Sequence, residues 1–171
     1  MNVVINSSAT APQLSKKTSY RGISGYYSNR MVVNNSAMKE LRAHLSFTQL
    51  RFHCRKQQVG RTFHVSTAAN SSGEAVVQYF SGQTNVLPGS CGSFVRMEND
   101  NSSLANGCNQ WAAKKWSSNL FGDNGDGRLY HHVAIVHGKY DWLLGTYQAR
   151  WECDDVVVGL SPGDFWKVFV R

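Results

Sequence analysis

From Ser46 onward the chain alternates apolar and polar residues, with interruptions, as far as its C-terminus. Leu50, Phe52 and Cys54 alternate with Arg51, His53 and Arg55, which is the period-two pattern of a strand with one buried face. The stretch 56–60 ends in Gly60 and reads as a turn, after which 62–66 resumes the alternation. Pairing Cys54 with Phe63 sets Phe52 opposite Val65 and His53 opposite His64, with both apolar rows on one face. A slip of one residue would move every apolar side chain to the wrong side.

Further strands are predicted at 75–80, 93–97, 130–136, 142–145, 150–158 and 165–171, with turn residues between them: Pro88 with Gly89, the segment from Asp123 to Gly127, His137 with Gly138, Pro162 with Gly163. Between Asn101 and Trp116 the pattern loosens, and Leu104, Trp111 and Ala112 fit one or two short helices. Residues 1–45 differ in kind, being rich in Ser, Asn and Thr; only 37–44 reads as a helix, because Met38 and Leu41 share a face. The pattern therefore predicts an N-terminal arm, 1–45, followed by a β-rich domain, 46–171. No βαβ alternation appears, so the expected architecture is mainly β: a single antiparallel β-sandwich or distorted barrel with short helical insertions. An arm with so little apolar surface needs a surface to lie on, either its own sheet or, by strand addition, a neighbouring copy.

Composition changes the picture in three ways. The 171 residues include four cysteines, Cys54, Cys91, Cys108 and Cys153, too widely spaced for a zinc ribbon and even in number, as two disulfides in an oxidising compartment require. Of the three possible connectivities, Cys91 with Cys108 closes a loosely patterned loop and leaves Cys54 to join Cys153. Sequons at Asn6, Asn34, Asn70 and Asn101 agree with a secreted glycoprotein. The first residues lack a basic segment followed by an apolar one, so no signal peptide is read there, and no apolar run approaches the roughly 20 residues of a membrane span. The net charge is +7 with 17% charged residues, spread as singles and pairs rather than in the stripes of a nucleic-acid arm. Attraction to an anionic glycan or acidic extracellular matrix is the expected meaning of that charge, with no nucleic-acid partner.

Candidate chemistry is sparse. No nucleophile elbow, phosphate loop or zinc-protease motif is present. His53 and His64 face each other across the hairpin, about 5 Å apart at Cβ, but among arginines, which suits an anion or glycan better than a metal. His131 and His132 point to opposite faces of their strand, and His131 lies about 20 Å from His137, so these do not chelate together. Glu152 and Asp154 project to one side of a straight strand about 7 Å apart, a glycosidase-like spacing. The segment from Asp123 to Gly127 fails the EF-hand pattern and leaves calcium only as an alternative to a cofactor-free protein. Trp111 and Trp116, among Asn109 and Lys114, are the expected sugar-stacking platform. A secreted binding module is therefore the first functional expectation, a self-associating structural or matrix protein the second, and a glycoside hydrolase the third.

Overall fold

The computed structural model describes residues 2–8, 16–17, 19–21, 32–117, 127–129, 133–144 and 150–171. The fold is mainly β. A five-stranded antiparallel sheet runs in the order β1 (Asn2–Ser8), β10 (Phe165–Val170), β4 (Leu50–Lys56), β5 (Arg61–Thr67), β6 (Phe94–Arg96). A second antiparallel sheet holds β7 (Trp142–Leu144), β8 (Trp151–Cys153) and β9 (Val156–Val157), and β2 (Lys16–Lys17) pairs with β3 (Val32–Val33) in parallel. The helices are α1 (Asn35–Leu45), α2 (Ser71–Phe80) and α3 (Ser103–Asn106). Among the described residues no helix is long and apolar enough to cross a membrane.

The β4–β5 hairpin has the register its alternation predicts, with Phe52 opposite Val65, His53 opposite His64 and Cys54 opposite Phe63. Its inner row (Leu50, Phe52, Cys54, Phe63, Val65) joins Trp166, Val168 and Val170 of β10 in the core. Met38 and Leu41 of α1, Val76, Val77 and Phe80 of α2, and Trp142 and Cys153 of the second sheet cover that row, giving a sandwich-like core closed on one side by helices. Trp166 ties the layers directly, its indole N–H donating to the Glu152 carbonyl at 3.0 Å. The Cys54–Cys153 and Cys91–Cys108 disulfides are both formed, with Cα separations of 5.8 and 5.7 Å. The first closes a 99-residue span between the sheets, the arrangement that constrains the unfolded chain most.

Three expected strands take other forms. The segment 75–80 is the second half of α2: Asn70 caps the helix by accepting from the Gly73 amide, Glu74 lies in the first turn, and Val76, Val77 and Phe80 bury a helical face. β-branched residues suggest a strand there, yet their spacing fits a 3.6-residue period as well. Gly73 is required at the crossing, since a Cβ there would meet the Ala68 carbonyl oxygen at 1.9 Å. The segment 150–158 is a hairpin, because Asp154 and Asp155 both adopt the left-handed conformation (φ 54° and 62°) that a two-residue turn needs and Asp tolerates. In 133–136 the apolar residues are buried, but the β-pairing there among the described residues consists of single bridges, Ser117 to Ala134 and Val133 to Trp142. Residues 130–132 lie outside the described residues. The expected helix at 37–44 is α1, capped by Asn34, and β1 of the N-terminal segment adds to the chain's own sheet beside β10.

Candidate functional site

The outer face of the five-stranded sheet carries the most unusual set of side chains. Alternation sends Arg51, His53 and Arg55 of β4 to the side opposite the core, and the β10 register places Phe169, Lys167 and Phe165 beside them in that order. Cations and rings therefore alternate on both strands and across them. The Arg51 guanidinium stands 3.9 Å above the Phe169 ring and the Lys167 ammonium 5.0 Å from the Phe165 centroid, so aromatic faces orient two of the three cations. All six residues are partly exposed. None of Arg51, Arg55 or Lys167 forms an ion pair with a described carboxylate, although Arg42, Lys56, Arg61, Arg96, Lys139 and Arg150 each do. By strand rise, Arg51 and Arg55 sit about 13 Å apart along β4, with Lys167 beside the midpoint.

His53 and His64 stack at the centre, ring centroids 3.7 Å apart and planes within 11°, while Phe165 meets His53 edge-on at 4.7 Å. Two imidazoles so placed cannot both carry protons. Burial, then the neighbouring His64, Arg51, Lys167 and Arg55, pushes His53 down to about 3, and burial also lowers His64. The His64 Nδ1 is engaged by the Asn99 side-chain oxygen. Among the described residues nothing hydrogen-bonds to four buried polar atoms of this face, Arg51 Nε, Arg55 Nε, His53 Nε2 and His64 Nε2. Buried polar groups in folded proteins are nearly always satisfied, by ligand or water where the chain supplies nothing.

A pH prediction follows from this stack. His53 binds a proton near the ordinary 6.5 when unfolded but only near 3 when folded, so below about pH 6.5 the unfolded chain takes up more protons and stability falls as pH drops. The drop in melting temperature between about pH 7 and about pH 4 is expected to shrink in His53→Gln. An unchanged drop would show that His53 is not titrating as its surroundings demand.

The tryptophan platform takes a different form from the one expected. Trp116 is fully buried, packed on Phe52, Phe80 and Phe94, with its indole N–H donating to Ser93 Oγ at 2.7 Å. It offers no face to a sugar, because an apolar ring in a segment crossing the core gains more by packing than by exposure. Trp111 is half-buried against the core, while Asn109 and Lys114 are exposed nearby in sequence. The two groups of candidate ligand residues lie on separate elements: His53 and His64 on the sheet, and Asn109, Trp111, Lys114 and Trp116 on the segment after α3.

The carboxylates serve structure. Asp154 caps α3, accepting from the Ser103 and Leu104 amides at 2.6 and 2.8 Å, and pairs with Arg61 at 3.1 Å. Glu152 pairs with Arg150, and burial pushes it up to about 7. The turn at Asp154 gives the two groups different partners, unlike the straight strand on which they would have faced together. Asp141 is wholly buried, and burial followed by the charge of Asp154 raises it far above the usual carboxylate range. Among the described residues no group of three or more His, Cys, Asp or Glu side chains is gathered as metal ligands. His131, His132 and 123–126 lie outside the described residues. No family model, curated protein or solved structure matches the chain.

Proposed function

We propose that the chain is a secreted, non-enzymatic binding module that recognises an anionic glycan, sulfated or rich in uronic acid, along the outer face of its five-stranded sheet. The observation that carries the reading is a row of three cations, Arg51, Lys167 and Arg55, held on or beside aromatic rings, with no ion-paired carboxylate among the described residues. Guanidinium groups grip sulfate and carboxylate with paired N–H donors, and Lys167 adds a point charge between them. The two disulfides agree with an extracellular site of action.

A flat sheet face suits an extended chain rather than a small molecule, which would want a concave pocket. The triple variant Arg51→Ala, Arg55→Ala, Lys167→Ala is expected to weaken binding to a heparin-like sulfated polysaccharide by about tenfold per side chain removed. The control Lys39→Ala, Lys114→Ala, Lys115→Ala removes equal charge elsewhere and is expected to bind nearly as the parent does. Equal loss in both variants would reduce the effect to bulk charge and overturn the site. Equal competition by single-stranded nucleic acid at the same salt concentration would overturn the ligand class, since any polyanion would then serve.

A further inference from the structure

The four sequons are equivalent in sequence and unlike in structure. Asn34 is 5% exposed, with its side-chain oxygen accepting from the Ala37 amide at 3.0 Å to start α1, so a sugar on its amide nitrogen would have no open surface to occupy. Asn101 is exposed, but both ends of its amide are used: Oδ1 accepts from the Thr62 amide at 2.7 Å and Nδ2 donates to the Gly60 carbonyl at 2.8 Å. Those bonds fasten the segment after β6 along the edge of β5. Asn6 is the register partner of Lys167 on β1, which sets it in the row of the sheet that holds Lys167 and His53. That row belongs to the part of the sheet that the proposed function assigns to the polysaccharide.

Asn70 differs from all three. It is exposed, its Oδ1 accepts from the Gly73 amide at 3.0 Å to cap α2, and nothing among the described residues takes its Nδ2. N-glycosylation uses only the nitrogen, so the carbonyl oxygen keeps capping the helix after modification. A shallow depression of about 280 Å³ opens at the same residue, lined by Thr48, Ala68, Ala69 and Glu74. The methyl groups of Ala68 and Ala69 leave room for a sugar ring and give its apolar face something to pack on. Asn70 also follows β5 beyond Thr67, at the end of the sheet and outside the rows of Arg51, His53 and Arg55.

We propose that Asn70 is the acceptor of an N-linked oligosaccharide, its first sugar seated over Ala68 and Ala69, and that Asn6, Asn34 and Asn101 stay unmodified. This rests on the secretory part of the proposed function. The donor class is an oligosaccharide on a polyprenyl diphosphate. Asn70 Nδ2 loses a proton and bonds to the anomeric carbon, while the bond from that carbon to the diphosphate breaks and the diphosphate leaves with the electron pair. The glycan shields the start of α2 and leaves the cationic sheet open.

The test uses the full chain, secreted from a eukaryotic cell behind an added leader, with enzymatic deglycosylation and peptide mass mapping. One glycan-sensitive mobility shift is expected, with conversion to Asp only at Asn70. Ser72→Ala destroys the sequon but keeps the Asn70 cap, and is expected to abolish the shift without changing the melting temperature. Ser36→Ala and Ser103→Ala are expected to keep it. A shift that survives Ser72→Ala, a modified Asn6, Asn34 or Asn101, or oxidised secreted protein with no shift overturns the assignment. Free thiols in the secreted protein would instead overturn the secretory reading itself, and this proposal with it.

Discussion

Asp164→Ala is expected to destabilise the fold by about 3–5 kcal/mol, the usual cost of removing one partner from a buried ion pair. Lys56 and Asp164 meet at 2.7 Å with both side chains wholly buried, and the ammonium also donates to the Val158 and Gly159 carbonyls at 3.2 and 2.9 Å. Asp164 in turn accepts from the Gln57 amide, the Ser161 amide and the Ser161 hydroxyl. Alanine would leave a buried cation without its counter-charge and two backbone donors without acceptors. For a chain of this size the loss corresponds to a fall in melting temperature of roughly 6–20 °C. Burial alone would raise the Asp164 carboxyl, but the bonds from Lys56, Gln57 and Ser161 outweigh it and hold the group below its ordinary range. The stabilisation is therefore present above the ordinary carboxylate range and is lost as pH falls through the lowered value.

The double variant Lys56→Met, Asp164→Leu separates charge from backbone satisfaction. It is expected to recover part of the loss, since no charge is then buried, but not the part owed to the Gln57 and Ser161 amides. Asp164→Ala costing less than about 1 kcal/mol in a urea melt would show that water replaces the carboxylate freely. The pair also bears on the site, because it locks the end of β4 to the start of β10, the two strands whose register sets Arg51, Lys167 and Arg55 in line.

Much of this was legible where the determining contacts are local. The β4–β5 register follows from alternation, because one buried face admits one pairing. The row Leu50, Phe52 and Cys54 reads as ending at a charged turn, yet period two carries straight on to Lys56, and the buried cation is the residue that continuation points to. In α2, Asn70 stands out as a sequon, which hides its second role as a helix cap, and β-branched residues draw 75–80 toward a strand. The hairpin at Asp154 and Asp155 depends on two left-handed residues that alternation does not signal. Arg51, His53, Arg55 and His64 were visible together on one face, whereas Lys167, Phe165 and Phe169 join them only through the pairing of strands more than a hundred residues apart, which no local pattern encodes.

Trp116 and the cationic face are expected to respond to mutation in opposite ways. Trp116→Ala removes a fully buried ring from among Phe52, Phe80 and Phe94, and is expected to cost about 3–5 kcal/mol, with the loss depending on how far Phe80 and Phe52 can close the gap. It also strands Ser93 Oγ, which accepts the indole N–H while donating to the Ser90 carbonyl. Trp116→Phe keeps most of the apolar contact and is expected to lose only a fraction as much. Protein that remains folded should bind sulfated polysaccharide like the parent, because the ring reaches no solvent. The Arg51, Arg55 and Lys167 variants should instead keep their melting temperature within a few degrees and lose affinity, since partly exposed cations contribute little to the core. Calorimetry paired with binding on the same preparations distinguishes the two patterns. If Trp116→Ala melted with the parent and lost its ligand, the tryptophan would be a binding residue after all and the packing described for it would be wrong.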